Sequence, residues 1–224
     1  MKILSITTSS SVCSVCLLND TTIVKELSLN NEKTHSENLM PLVSKIFEET
    51  GLFLNDIDYI ACDIGPGSFT GIRIGIASVK AMAETHNIKI IPVSSLEALA
   101  YNVENSDKYI CSLIDARNSN AYSALFDEKH NMISTFTADT VDTILNNLPQ
   151  KPICFVGNAA EIYTDKITDI FKENANFAEC NLLSSAKLGI CAYSKALKDE
   201  YVTADTLLPL YLRKSQAERM LENG

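Results

Sequence analysis

The stretch YICSLIDARNSNAYSALFDEKHNMISTFT, residues 109–137, reads as strand, tight connection, strand, turn and strand, because its apolar side chains alternate as a half-buried pleated ribbon requires. The chain has used this pattern once already. From the N-terminus, KILSITT (2–8) predicts a strand, SVCSVCLL (11–18) a second, Asn19-Asp20 a turn and TTIVKELSL (21–29) a third. At a constant offset of 108, Thr7 falls on Asp115, Cys13 on Ala121, Cys16 on Ala124, Leu17 on Leu125 and the turn Asn19-Asp20 on Asp127-Glu128, with no gap. An internal duplication explains this economically. It divides the chain at the polar seam VENSDK into lobes of residues 1–104 and 105–224.

The segments after each triplet of strands also repeat in kind. In the first half, Thr34 and Glu37 have capping-box spacing, so a helix starts there and runs through Leu39, Met40, Val43, Ile46 and Phe47 until Gly51 stops it. DYIACDI (58–64) is a buried strand, and GPGSFTGIRIG (65–75) opens a second helix from about Gly71 to His86. KIIPV (89–93) and a helix from Ser95 to about Tyr101 complete the half. The second half offers a strand at ICFVG (153–157) and helical stretches around 159–172 and 185–199. Three antiparallel strands followed by alternating helices and strands, twice over, give an α/β chain of the duplicated RNase H-like, actin-like ATPase type. Its two lobes are mixed sheets flanked by helices. That fold hosts many activities and fixes none.

Composition narrows the classes. With 224 residues, 46% of them hydrophobic, the chain buries a real core. A net charge of -9 repels the phosphate backbone and disfavours unaided nucleic-acid binding. The basic cluster Arg213, Lys214 and Arg219 reads as a solvated helix end. No apolar run approaches the roughly 20 residues that span a bilayer, and MKILSITTSSS is too short in apolar core for a signal peptide, so a cytoplasmic protein without a membrane partner is expected. The seven cysteines lie mostly in apolar strand segments and read as reduced. Cys13 and Cys16 point to opposite faces of one strand, roughly 10 Å apart, too far for a disulfide or a shared metal.

The sequence offers little chemistry. A magnesium nucleotide site in this superfamily needs a carboxylate from each lobe's first strand. The second lobe has Asp115, but the first has the neutral hydroxyl of Thr7. Asp63 reads as a loop carboxylate bonded to backbone amides. A metal-binding branch of the superfamily carries two histidines four residues apart on the first helix; here His35 is present and position 39 is leucine. GPGSFTGIRIG is neither a Walker loop nor GxGxxG, although amides at Gly67, Ser68 and Thr70 offer a weak anion site. Inside the helix Gly71 and Gly75 cost roughly 2 kcal/mol against alanine, which close approach of another backbone would offset. The stripe Leu39, Met40, Val43, Ile46 and Phe47 is wider than one modest sheet face covers, which predicts a helical subunit interface.

Together ILSITTSS, CSVCL, HSENLMPLV, GPGSFTGIRIG, IDARNSNAY, FVGNA and PLYLR resemble, in order and spacing and over essentially the whole chain, the bacterial TsaB (YeaZ) family. The resemblance implies a non-catalytic scaffold or activator in the synthesis of tRNA N6-threonylcarbamoyladenosine (t6A). It implies binding to a catalytic paralogue, TsaD, and a small ATPase, TsaE, with a homodimer in isolation and tRNA met only indirectly. No cofactor of its own is implied; ATP and metal belong to the partner subunits. The partner-binding residues it points to are Leu39, Met40, Val43 and Phe47 on the first helix and Gly71, Arg73, Gly75 and Ala77 on the second. The sequence departs from the family at Thr7, where aspartate is usual, at Ser119, Asn120 and Ala121, where Gly-Glu-Val is usual, and at Asn158 and Ala159. The alternatives are a lone actin-like ATPase or kinase using Asp115 and Asp63, and a self-contained homodimeric nucleotide-binding module.

Overall fold

The computed structural model describes residues 1–30, 34–104 and 106–213. The strands β1 (Lys2–Thr7), β2 (Cys13–Asn19) and β3 (Thr22–Leu29) form the expected meander. It continues through α1 (His35–Thr50), β4 (Tyr59–Asp63), α2 (Phe69–His86), β5 (Lys89–Val93) and α3 (Ser95–Ala100). The second half comprises β6 (Tyr109–Asp115), β7 (Asn120–Phe126), β8 (Thr137–Thr140), α4 (Val141–Asn147), β9 (Ile153–Val156), α5 (Asn158–Ile162), α6 (Thr164–Phe171), β10 (Ala175–Phe177) and α7 (Ser185–Ala196).

Two five-stranded mixed sheets result, ordered β3-β2-β1-β4-β5 and β10-β9-β6-β7-β8. In each, the hairpin pairs are antiparallel and the pairs reached through a helix are parallel, as crossover connections demand. Thr34 and Glu37 do cap α1, the Glu37 carboxylate accepting from the Thr34 amide at 3.0 Å. Gly51 ends the helix in the left-handed conformation. Cys13 and Cys16 are free and face separate apolar clusters on the two sides of β2.

The repeat is real in topology, but the gapless offset does not survive the strand registers. Thr7 pairs with Ser14, whereas Asp115 pairs with Ala121, one residue nearer in sequence. No single offset serves both hairpins. Cys13 and Leu17, like Ala121 and Leu125, face the outer helices, so the second strands keep the offset of 108. On the first strands the outward positions are Leu4 and Ile6 against Cys111 and Leu113, an odd separation. Thr8 rather than Thr7 is therefore the counterpart of Asp115.

Other differences are local. The third strand of the second half begins only at Thr137, because Asp127 gathers the amides of Lys129 and Asn131 and the Asn131 side chain into a wider turn. The helical stretch at 159–172 is two helices, broken at Tyr163. Helix α4 and strand β10 are short, carry no strong pattern and are not predicted from the sequence. Of the basic cluster, Lys214 and Arg219 lie outside the described residues.

Two helices cross between the halves. Helix α7 packs on β1, β2, β4 and β5, while α3 packs on β6 and β7. The crossing is locked at the N-terminus of α7, where the Glu26 carboxylate of β3 accepts from the hydroxyls of Ser184 (2.9 Å) and Ser185 (3.0 Å) and from the amide of Ala186 (3.0 Å). An anion at a helix start is favourable. The segment after α7 also returns to the first sheet: Val202 bridges Ile90 of β5, and Leu207 is buried in the first core.

Candidate functional site

Between the lobes lies a cavity of about 730 Å³, with the Ser9–Ser11 loop and the start of α2 on one wall and Asp115, Arg117 and Asn158 on the other. The glycine loop is part of the first wall, so the weak anion candidates Gly67, Ser68 and Thr70 do reach the cleft. Their donors are already partly used. The Ser68 amide donates to the Ser9 carbonyl at 2.7 Å, and the Ser68 hydroxyl accepts from the Gly71 amide at 3.2 Å as the N-cap of α2.

Asp63 ends β4 beneath this loop and is 2% exposed. Its Oδ2 accepts from the hydroxyls of Thr7 and Ser9, each at 2.5 Å, and its Oδ1 from the Ser95 hydroxyl at 2.7 Å and the Gly65 amide at 2.9 Å. Both oxygens are thus occupied by the protein itself. Three hydroxyls outnumber the one amide, where amides alone were expected; nothing in a single sequence places Ser9 and Ser95 beside position 63. Burial pushes the Asp63 carboxyl above its usual range, against the opposing pull of these hydrogen bonds.

One carboxylate, Asp115, lines the cavity, where a magnesium nucleotide site of this fold is expected to draw one from each lobe. Thr7 is a donor to Asp63 rather than a ligand, Asp63 is sealed, and Asp115 spends Oδ1 on the Arg117 amide at 3.1 Å. Hard-cation binding through carboxylates needs oxygens that face the ion. His35, the one histidine on α1, donates through Nε2 to the Ser10 carbonyl at 2.8 Å, since that oxygen accepts only.

The helix pair expected to meet a partner is more deeply buried than its stripe suggested. Leu39 is 1% and Val43 4% exposed, both within the core formed with β1, β2 and β4. Helix α1 lies on β2 and β3 and against α2, which together cover most of the stripe. Gly71 and Gly75 are likewise internal: their close neighbour is the Thr8 segment of the same chain, and the Thr8 hydroxyl donates to the Gly71 carbonyl at 2.7 Å. Leu39, Val43, Gly71 and Gly75 are therefore out of a partner's reach. Met40, at 44% exposed, Arg73 and Ala77 face outward, and Phe47 is half-buried. Arg73 is steadied by its Nε–H donating to the Tyr211 hydroxyl at 2.9 Å, and Tyr211 stacks on Phe69 with centroids 4.7 Å apart.

Fold and cleft together define a two-lobed α/β protein with the duplicated RNase H-like, actin-like fold. A ROK hexokinase from Thermus thermophilus shares this fold, with a TM-score of 0.52 at 9% identity over 89% of this chain and 100% of that one. A family model described as TsaD, tRNA N6-adenosine threonylcarbamoyltransferase, matches residues 22–221. The tRNA threonylcarbamoyladenosine biosynthesis protein TsaB of Bacillus subtilis (strain 168) is 30% identical, covering 97% of this chain and 96% of its own. YeaZ from Pseudomonas aeruginosa superposes with a TM-score of 0.83 at 25% identity, over 94% of this chain and 99% of that one. The chain belongs to the TsaB (YeaZ) family.

Proposed function

We propose that this chain is the non-catalytic subunit of the tRNA t6A machinery: it binds and activates a TsaD-like catalytic paralogue and performs no chemistry itself. The observation that carries this reading is Asp63, the buried acid beside the first strand, whose two oxygens are both consumed by the chain's own hydroxyls and amide. A carboxylate so engaged neither coordinates a metal nor serves as a base.

The surface that serves partner docking is the outer side of α1 and α2, carried by Met40, Arg73 and Ala77 with Phe47 at its edge. Alone, the chain pairs with a second copy through this same side. In the assembly ATP and metal sit on the TsaD-like and TsaE-like subunits, and tRNA is met only through the complex, in keeping with the net charge of -9. The setting is the cytoplasm. Co-purification with the cognate TsaD-like protein, followed by t6A formation with and without this chain, tests the reading. A hetero-complex and modification that depends on this chain support it; ATP turnover by the purified chain alone contradicts it.

A further inference from the structure

Beyond the choice of partner, and resting on that reading, we infer that His35 is a positioning residue that sets α1 against α2 and so shapes the composite face to which the partner binds. The face is assembled from two helices, with Met40 on one and Arg73 and Ala77 on the other. Its shape therefore depends on how those helices are held together.

The loop following β1 is the common reference. Ser9 is fixed to Asp63 and Ser95, and its carbonyl receives the Ser68 amide. Thr8 donates to the Gly71 carbonyl and fills the space beside Gly71 and Gly75, so α2 is seated on this loop along two turns. The N-terminal end of α1 reaches the same loop through the His35 ring, whose Nε2–H meets the Ser10 carbonyl at 2.8 Å. The ring also packs against α2: its Cδ2 is 3.2 Å from the place a Cβ on Gly71 would occupy. One imidazole thus ties the start of α1 to the loop and to α2 at once.

A second observation sets this ring apart from ordinary packing. Its Nδ1 is buried without a hydrogen-bond partner, which disfavours the folded state. An apolar ring would fill the space without that penalty, but it would not hold Ser10. What the histidine contributes is the directed Nε2–H bond.

The test uses the full chain carrying His35→Ala or His35→Gln; the glutamine amide N–H is also a donor and reaches toward Ser10. Two measurements are made on each: affinity for the TsaD-like partner by calorimetry, and, in the chain alone, the distance distribution between spin labels at Ser44→Cys and Glu84→Cys with Cys180→Ser. Positions 44 and 84 are exposed on α1 and α2. We expect His35→Ala to weaken the complex at least tenfold and to shift or broaden the distribution, and His35→Gln to restore both to within about threefold and to the wild-type distance. Should His35→Ala fail to fold, the glutamine variant decides alone: a wild-type distance and affinity support the inference, and a folded protein with neither overturns it. An alanine variant with unchanged distance and affinity also overturns it. If the wild-type chain itself binds no partner, the proposed function has failed, and the label distances still judge the role of His35 in helix placement.

Discussion

The Thr8 carbonyl oxygen stands where a side chain on Gly71 would have to be. This contact, with the Thr8 hydroxyl beside Gly75, explains two helix-interior glycines that cost stability by propensity, because the chain's own loop uses the space they leave. Replacing Gly71 with alanine gains about 1 kcal/mol of helix propensity but drives a methyl into backbone that Asp63 and Ser68 hold in place. Overpacking of this kind costs about 1–3 kcal/mol or more. Gly71→Ala is therefore expected to lower stability by about 2 kcal/mol in denaturant unfolding; an unchanged or raised midpoint contradicts the packing account.

Two neighbouring apolar residues on α1 should behave oppositely. Val43 lies in the core, so Val43→Glu buries an unpartnered charge and is expected to cost more than about 3 kcal/mol. Met40 is exposed, so Met40→Glu should change stability by less than about 0.5 kcal/mol while weakening the hetero-complex at least tenfold. Thermal melts and calorimetry of the two variants side by side check this.

Much of the fold was legible because it is written in local periodicity: the strand triplets, the capped helix at Thr34 and the glycine loop all appear where patterns of two and 3.6 place them. The burial of Leu39 and Val43 was not, since helix periodicity identifies an apolar face without saying what will cover it. The gapless repeat misled for a similar reason; a one-residue change in a tight connection is invisible until Thr7 is paired with Ser14 and Asp115 with Ala121. Of the site, the sequence shows hydroxyls at both Thr7 and Thr8 where the first strand ends, but which of them faces Asp115 is set by the strand registers. The sealing of Asp63 by Ser9 and Ser95 is not visible there either, because it joins residues 54 and 32 positions away in sequence.

That sealing has a pH signature. The Asp63 carboxyl is raised by burial, so the folded state holds its proton more tightly than the unfolded chain does, whose carboxyl titrates near about 3.9. The resulting contribution to stability is complete below that value and is lost as pH rises through the folded-state pKa. Relative to Asp63→Asn, which does not titrate, the wild-type protein should lose stability as pH increases above about 4. A difference that grows in favour of wild type over that window shows the hydrogen bonds outweighing burial.

Glu26 fastens α7, a helix of the second half, to the first sheet. Hydrogen bonds to a charged group are each worth about 1.5–3 kcal/mol, and their partial replacement by water leaves a net loss of about 2–3 kcal/mol expected for Glu26→Ala. Amide exchange should quicken first at Ala186 and Lys187. Protection unchanged at those two amides argues against Glu26 as the fastener.

The deciding measurement is t6A formation by the reconstituted system with this chain as wild type, Asp115→Ala or Ala77→Glu. If the cleft does no chemistry and the outer side of α2 docks the catalytic subunit, Asp115→Ala modifies tRNA at the wild-type rate and Ala77→Glu abolishes it. Loss of modification in Asp115→Ala, with Ala77→Glu fully active, would place chemistry in the cleft and docking away from the outer side of α2.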